Sequence, residues 1–281
     1  MNRTRAVVLG VALVAVLAGT ACGPGESPAS DGQLRVVSLV PSVTEILYAI
    51  GAGPALVGNT TFCDWPEEAR RVRKVGSFFQ PDLEHVAGLS PDLVFVALPS
   101  HRPVAEKLAE LGIRWYASDP QDLAGLFAEV ESIGRLTGRL PAAESLVRVM
   151  RGRLESLPAW PDTPRVYVEV SNSPLMSAGR GSFLDEVISL AGGRNVYQQS
   201  DRQYPLVEPE ELVALDPEVI VLVHTAAGPA EVRSRVGWAG ISAVRGGRIV
   251  ADVDENLLVR PGPRSLEGIE RLSRRMRETA R

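Results

Sequence analysis

The sequence is poor in the residues on which catalysis and metal binding usually depend. Its 281 residues include three histidines and two cysteines. His85, His101 and His224 are dispersed, and no HExxH, GxSxG or Walker A pattern occurs. A metal site built by a protein alone needs several clustered ligands, and a hydrolase needs a positioned nucleophile and base. We therefore predict that the protein is not an enzyme and has neither a cofactor nor a metal site of its own.

Positive charge is also in short supply. The 30 basic residues are outnumbered by 34 acidic residues, which gives a net charge of −4. Proteins that bind nucleic acid usually need a basic surface, so this balance argues against a nucleic-acid partner. Hydrophobic residues make up 45% of the chain, enough for a sizeable core, and the length suits two domains.

The N-terminal sequence is MNRTRAVVLGVALVAVLAGTAC. A basic start, an apolar middle shorter than the roughly 20 residues that span a bilayer, and a small-residue end are typical of an export signal. We predict that residues 1–22 are a lipoprotein signal peptide with Cys22 as the lipidation site. An ordinary signal that is cut near Cys22 is the alternative. Residues 23–33 predict a flexible tether because they are rich in Gly, Pro and Ser.

A lipid on Cys22 would leave Cys63 unpaired and exclude an intramolecular disulfide. The expected location is the cell envelope, either the periplasm or the outer surface, with the protein anchored to the membrane through that lipid.

One helix–turn–strand unit occurs twice in the sequence. LEHVAGLSPDLVFV begins at Leu83, and PEELVALDPEVIVL begins at Pro209. Glu84 of the first unit corresponds to Glu210 of the second. In both units, apolar residues at helical spacing precede a proline turn and an apolar strand. This repeat indicates two halves of related design.

Strands alternate with helices in both halves, which is typical of parallel α/β sheets. We predict an α/β protein with two Rossmann-like lobes, 34–140 and 158–281. Residues 141–157 contain apolar residues at helical spacing and predict a single long backbone helix that joins the lobes. A helical connector keeps two lobes at a nearly fixed distance, and the cleft between them is the preferred place for a ligand.

Aromatic residues are only 5% of the chain, yet several lie in loops at strand ends. Because loops at the carboxyl ends of parallel strands bind ligands, these aromatics predict a surface that stacks on a large, flat ligand. Arginines in such loops are candidates to pair with acidic groups of the ligand. The aromatic candidates are Phe62, Trp65, Phe78, Phe79 and Tyr204, and the arginines are Arg180, Arg202 and Arg260.

His101 and His224 each follow the strand that ends a repeated unit. Both are candidate ligand contacts and candidate axial ligands to the metal of a bound chelate. The alternative is that they are ordinary loop histidines near the cleft.

Five motifs together resemble a known family. They are RVVSLVPSVTEILYAIGAG, FCDWPEEA, VGSFFQPDLEHVAGLSPDLVFV, YPLVEPEELVALDPEVIVL and RPGPRSLEGIERL. These motifs are similar to those of the helical-backbone (class III) periplasmic binding proteins of ABC importers, which are receptors for vitamin B12, haem and ferric siderophores. The resemblance runs from about Leu34 to the C-terminus, and the pattern is closest to that of the vitamin B12 receptors.

The resemblance implies a monomeric receptor that works with an ABC permease dimer and its ATPase. In the family, one glutamate on each lobe docks into arginines of the permease, and Glu84 and Glu210 occupy those positions here. Paired acids on the receptor suit a permease with two equal halves.

The resemblance also ranks the ligands. In the vitamin B12 receptors, aromatics of the FCDW and SFFQ loops stack on the corrin ring. Phe62 and either Phe78 or Phe79 match by residue type, although the best-known member has Tyr and Trp there. The loop that contains Arg260 also lines that site.

Haem receptors usually supply a His or Tyr ligand to the iron. Haem therefore remains an alternative ligand, with Tyr204, His101 and His224 as the candidate residues. Siderophore receptors use more arginines. We rank a corrinoid first, haem second and a ferric siderophore third. A chelate-processing enzyme and an envelope scaffold are the rival classes.

Overall fold

The computed structural model describes residues 32–160 and 162–279. The predicted signal peptide, Cys22 and most of the predicted tether lie outside the described residues. From Leu34 onward the described residues form one compact unit. None of the helices in these described ranges is both long and apolar enough to cross a bilayer.

The first sheet has four parallel strands in the order β2-β1-β3-β4. Short helices connect the strands, as the alternating sequence pattern predicts. The strands are β1 (Val36–Ser38), β2 (Leu56–Asn59), β3 (Leu93–Ala97) and β4 (Trp115–Ser118). The helices are α1 (Pro41–Ala49), α2 (Glu67–Arg70), α3 (Leu83–Gly88) and α4 (Arg102–Glu110).

Two helices link the first sheet to the second. They are α5 (Leu123–Leu136) and α6 (Leu140–Glu155). Helix α6 covers most of the predicted connecting helix at 141–157, but α5 precedes it, so two packed helices join the sheets where the sequence predicts a single one. The two pack closely because Gly134 of α5 faces Ala143 of α6. A Cβ at position 134 would stand 2.5 Å from the Cβ of Ala143, so a larger residue does not fit there.

The second sheet has the order β6-β5-β8-β9, with β7 also paired to β5. All pairings are parallel except the β5–β6 hairpin, which is a departure from a purely parallel sheet. The strands are β5 (Arg165–Asn172), β6 (Leu175–Ser177), β7 (Arg194–Asn195), β8 (Val219–Leu222) and β9 (Ile249–Val250). The helices are α7 (Phe183–Leu190), α8 (Pro209–Leu215), α9 (Pro229–Ser234), α10 (Ser242–Arg245), α11 (Glu255–Val259) and α12 (Ser265–Thr279).

One apolar core joins the two sheets. Alternate strand residues point to opposite faces, so Val36 of β1 and Val166 of β5 both enter a core that also contains Ile133 of α5 and Ile269 of α12. The neighbouring residues in each strand point the other way and enter separate outer clusters. Val37 of β1 belongs to the outer cluster of the first sheet, and Tyr167 of β5 belongs to that of the second. The connecting helices are therefore part of the core between the lobes.

The repeated units share an uncommon backbone feature. Ser90 has φ of 45° and Asp216 has φ of 44°, so each helix of the pair is followed by a left-handed residue that is not glycine. That conformation is sparsely populated by residues with a side chain. The residue then turns the chain into a proline and the next strand, Leu93–Ala97 in one unit and Val219–Leu222 in the other.

Matching arginine–acid contacts hold both turns. The backbone N–H of Arg35 donates to the Asp92 carboxylate at 2.8 Å, and that of Arg165 donates to Glu218 at 2.9 Å. The Arg165 guanidinium also donates twice to the carbonyl oxygen of Asp216, at 2.9 and 2.8 Å. Arg35 makes similar bonds one residue earlier, to the carbonyl oxygen of Leu89 at 3.2 and 2.7 Å, and a longer one at 3.3 Å to that of Ser90, the counterpart of Asp216. The acid that follows the proline of each turn, Asp92 or Glu218, is therefore explained by folding.

We predict that Arg165→Met lowers the free energy of unfolding by about 1–3 kcal/mol, because two backbone-carbonyl bonds and two ion pairs are lost. Urea unfolding followed by circular dichroism measures this change. Arg194→Met is the control, since its exposed side chain has no hydrogen bond or ion pair within the described part of the chain. Equal midpoints for the two variants would contradict the role assigned to Arg165.

Candidate functional site

A cavity of about 540 Å³ lies between the two sheets. That volume is within the usual range of about 300–1,000 Å³ for small-molecule sites. The first lobe contributes residues that follow β1, β3 and β4, including Ser42, Ser100 and Gln121. The second lobe contributes Val170 of β5 and the segment before α12. The carboxyl ends of parallel strands thus meet at the cavity, as in other α/β proteins.

Three of the five predicted aromatics line this cavity, namely Phe62, Phe78 and Tyr204. Phe79 is 75% exposed and lies outside the lining described here. Its ring meets those of Phe62 and Phe78 edge to face, with centroids 5.6 and 5.2 Å apart. These contacts join the two aromatic loops at the mouth of the cleft and leave Phe79 open to the solvent.

Trp65 is the fifth predicted aromatic, and its ring is engaged elsewhere. The Arg264 guanidinium lies 4.6 Å from the ring centroid, and Trp65 lines a neighbouring pocket of about 430 Å³ beside α1. Arg264 also binds Glu45 of α1 through two bonds, at 2.9 and 2.7 Å. The structure therefore places Trp65 in a contact between the lobes, and the prediction that it stacks on the ligand is not supported.

His101 supports an aromatic loop. Its side chain is buried, Nδ1 accepts from the Ala97 N–H at 3.1 Å, and Nε2 donates to the Phe78 carbonyl oxygen at 2.6 Å. Burial lowers the pKa of His101, and the bond to Phe78 offsets part of that effect. Both ring nitrogens are engaged and His101 is outside the described cavity lining. This geometry does not support the prediction that His101 is an axial ligand, and it indicates that His101 holds the Phe78 loop in place.

His224 is likewise engaged away from the cavity. Nε2 lies 3.0 Å from the Glu169 carboxylate, and Nδ1 accepts from the N–H of Ala226 at 3.1 Å. Glu169 is fully buried and also binds Arg235 through two bonds, at 2.5 and 2.7 Å. The Tyr167 hydroxyl donates to Glu169, and Tyr167 belongs to the outer cluster of the second sheet, so the buried network adjoins that cluster. His224 therefore lies outside the described cavity lining, and this geometry does not support the predicted ligand contact.

The three predicted arginines have different positions. Arg180 is exposed and donates to Gln198 and Gln199 at 3.2 and 3.1 Å, outside the described cavity lining. Arg202 lines a separate pocket beside α8. Only Arg260 lines the cavity, which supports one prediction of the three.

Arg260 is the only cation among the cavity-lining residues that the structure describes, and its charge is neutralised. Nη1 donates to Asp64 at 2.6 Å and lies 3.7 Å from Glu45. Burial raises the pKa of Asp64, but the hydrogen bond and charge of Arg260 outweigh burial, and the net shift is downward. Asp64 and Glu45 were not among the residues predicted from the sequence. Glu45 had one sequence signal, its place inside the apolar run VTEIL.

Amide side chains meet across the cavity. Gln203 of the second lobe donates to Gln121 of the first lobe and to the carbonyl oxygen of Gly181, the latter at 2.9 Å. Asn256 also lines the cavity. Tyr204 stands beside Asp119. Burial, followed by the Asp119 charge, raises the pKa of the Tyr204 phenol. The wall therefore offers neutral donors and acceptors near aromatic rings.

Glu84 and Glu210 occupy equivalent exposed positions in the first turns of α3 and α8. Neither carboxylate takes part in a hydrogen bond or ion pair within the residues that the structure covers. Both are therefore available to an external partner.

Comparison with known proteins defines the family. The model of the periplasmic binding protein family matches residues 36–255. The chain belongs to this family. The match spans both sheets and every strand described above.

Three relatives of this periplasmic binding protein illustrate its similarities. It is 32% identical over 250 residues to an uncharacterized ABC transporter substrate-binding lipoprotein, YvrC, of Bacillus subtilis, covering 85% of this chain and 78% of that one. It is 30% identical over 243 residues to the vitamin B12-binding protein of Vibrio cholerae, covering 85% and 87%. A solved periplasmic haem-binding protein of Pseudomonas aeruginosa has 28% identity and a TM-score of 0.71, covering 85% and 91%. The predicted two-lobed α/β fold is confirmed.

A buried acid lies behind the cavity wall. Glu129 of α5 is buried, and neither carboxylate oxygen has a hydrogen-bond partner in the described chain. Burial raises its pKa to about 7, the nearby Ser118 hydroxyl offsets part of this shift, and the Asp119 charge adds to it. Ser118 and Asp119 both line the cavity. Glu129 is therefore a neutral acid below about pH 7.

We predict that Glu129→Gln stabilises this periplasmic binding protein at alkaline pH. The raised folded-state pKa means that wild-type stability is greatest below the ordinary value of 4.5 and falls until pH reaches about 7. The full loss is about 3 kcal/mol, and a glutamine does not ionise. The free energy of unfolding should be measured at pH 5 and at pH 8. The variant should be more stable than the wild type at pH 8 only.

The matched control is Glu144→Gln, which removes an exposed carboxylate of α6. Its stability should follow the wild-type pH profile. A Glu129→Gln variant with that same profile would show that Glu129 is ionised when folded.

Proposed function

We propose that this protein is the exported substrate-binding component of an ABC importer, and that it captures a corrinoid chelate and delivers it to a membrane permease. The importer role is supported by family membership and by the resemblance to YvrC. The corrinoid is supported by the resemblance to the vitamin B12-binding protein of Vibrio cholerae and by the chemistry of the cavity. The family comprises binding proteins, which agrees with a receptor that carries out no reaction.

The charge of the cavity carries the choice of ligand. The described lining contains the acids Asp119 and Glu255, and its cation Arg260 is bound to Asp64. Haem and many ferric siderophores present carboxylates or other anionic groups, which need an available cation. A corrinoid periphery consists largely of neutral amides. Since the wall has no uncommitted positive charge among its described residues, it favours the neutral ligand.

Hydrogen-bonding groups of the wall also suit a corrinoid. Ser42, Ser100, Gln121, Gln203 and Asn256 place hydroxyl and amide groups around the cavity. Each offers a donor and an acceptor, which is what a peripheral amide requires. A buried amide that lacks such a partner costs about 1–3 kcal/mol, so this lining distinguishes ligands by their polar groups.

Aromatic rings supply the stacking surface. Phe62 and Phe78 approach the cavity from two loops of the first lobe, and Tyr204 approaches from the second. Their separate origins allow contact with more than one edge of a macrocycle. Aromatic faces also add a geometric preference to the burial of apolar surface.

Haem is the second candidate, because Tyr204 brings an oxygen to the wall. Its raised pKa disfavours the phenolate that a ferric iron binds best. The engaged nitrogens of the histidines also disfavour direct iron coordination. A ferric siderophore ranks third because Arg180 and Arg202 do not line the described cavity.

Glu84 and Glu210 are the proposed contacts with the permease dimer. Their equivalent positions and free carboxylates suit two equal basic sites, and complementary charge would orient the receptor. We further propose that the receptor is a monomer and that a lipid on Cys22 anchors it to the membrane.

We predict that the purified protein binds cobalamin with a Kd of about 1 μM or lower, measured by calorimetry. Phe62→Ala and Phe78→Ala should each raise the Kd by about tenfold through loss of stacking. Trp115→Ala is the matched control, because Trp115 is a partly exposed aromatic at the opposite end of β4. Binding of hemin with no heat from cobalamin or cobinamide would overturn the corrinoid assignment.

We predict that the double variant Glu84→Lys/Glu210→Lys loses at least about tenfold in transport rate, because the permease would face repulsion at both lobes. Its cobalamin affinity in solution should not change. Glu106→Lys/Glu144→Lys is the control, since it makes the same change in net charge at exposed acids of α4 and α6. Wild-type transport by the Glu84/Glu210 variant would refute the docking assignment.

A further inference from the structure

Asp64 connects the two lobes at the wall of the cavity. It lies between the ligand-lining Phe62 and the interlobe Trp65, in the loop between β2 and α2. Its carboxylate accepts a hydrogen bond from Arg260 Nη1 at 2.6 Å, and Arg260 comes from the segment between α11 and α12. The pair therefore joins an anion of the first lobe to the cavity cation of the second.

Asp64 is the direct counterion of Arg260. Glu45 is the other nearby acid, but it is 3.7 Å from Arg260, and both of its oxygens are hydrogen-bonded to Arg264. The Arg260 side chain is only 12% exposed, whereas that of Asp64 is 44% exposed. Removing the charge of Asp64 would thus change the pairing of the Arg260 guanidinium, while the packing of the protein core would be little affected.

The loop holds Asp64 in this position. Arg70 donates to the Asp64 carbonyl oxygen at 2.9 Å. The Lys74 ammonium donates to the carbonyl oxygens of Thr60 and Cys63, both at 3.2 Å. These backbone anchors fix the loop on both sides of the side chain, so Asp64 meets Arg260 without rearrangement.

We propose that Asp64 determines the charge selectivity of the cleft by holding Arg260 away from carboxylates of a ligand. This proposal rests on the proposed function in one respect, that the cleft binds a flat metal chelate. An anionic ligand must either displace Asp64 from Arg260 or place its charge beside Asp64 and Glu255. Both routes weaken binding, while a neutral chelate meets neither obstacle.

Removing the charge of Asp64 should reverse this selectivity. In Asp64→Asn the side chain keeps its size and can still accept a hydrogen bond, but it no longer neutralises Arg260. The guanidinium can then pair with a carboxylate in a charge-assisted bond, which is about twice as strong as a neutral one. Asp64 is thus a specificity residue that acts through Arg260.

The experiment compares hemin with hemin dimethyl ester, which have the same macrocycle and differ in the charge of two side chains. Affinities are measured by absorbance titration for the wild type and for Asp64→Asn. The wild type should bind the ester at least as tightly as hemin. Asp64→Asn should raise the ratio of hemin affinity to ester affinity by tenfold or more. Asp64→Ser provides a second uncharged variant, and unfolding midpoints verify that both variants fold.

Two controls separate this mechanism from a general charge effect. Glu255→Gln removes another acid of the same cavity. Within the described chain, Arg260 forms its ion pairs with Asp64 and Glu45 and none with Glu255, so the hemin-to-ester affinity ratio of this variant should change by less than threefold. Asp64→Asn/Arg260→Gln should return to the wild-type ratio. The proposal would be overturned if the hemin-to-ester affinity ratio is unchanged in both Asp64 variants, or if neither variant binds hemin. It would also be overturned if the increase in the ratio persists in the variant without Arg260, or if the wild type prefers hemin to the ester.

Corrinoid titration of the same variants separates the role of Asp64 from the identity of the ligand. Asp64→Asn should change the affinity for cobinamide, which lacks the anionic nucleotide-loop phosphate of cobalamin, by less than threefold, because its neutral peripheral amides gain no ion pair from Arg260. A larger loss would overturn the selectivity role in favour of a positioning role. Failure of the wild type to bind cobalamin would reject the proposed ligand, while the porphyrin ratio would still decide the role of Asp64.

Discussion

The apolar core between the two sheets is the constraint on which the structure depends. One buried cluster contains strand residues of both sheets together with residues of α5, α6, α7 and α12. Apolar burial has no directional preference, so shape must define the contact, and interiors pack to crystal-like density. The approach of Gly134 to Ala143 is one example. With this core in place, the loops at the strand ends have fixed positions around the cavity.

Polar contacts then refine the cleft. Arg264 binds the buried Glu45 and lies over Trp65, while Arg260 binds Asp64. Each contact joins the first lobe to the segment before α12. Buried charges are tolerated when they are paired and hydrogen-bonded. The same contacts that hold the lobes together therefore also decide which charges a ligand meets.

Local patterns predicted the architecture but only part of the site. Alternating apolar strands, the repeated unit and the helical spacing of α6 depend on nearby residues, so they were visible in the sequence. Residue type also identified Phe62, Phe78, Tyr204 and Arg260 at the cavity. It could not reveal that His101 and His224 have both nitrogens engaged, since their partners depend on the folded chain. The pairing of Asp64 with Arg260 was hidden for the same reason.

The shared core has a consequence for the history of such a chain. The two repeated units share a left-handed turn residue and matching arginine–acid contacts, and the inner faces of both sheets belong to one apolar core. A single half would expose that apolar face to water. A founder of this architecture with only one half would therefore have needed to self-associate, and fusion of two copies would have turned an intermolecular contact into an interior.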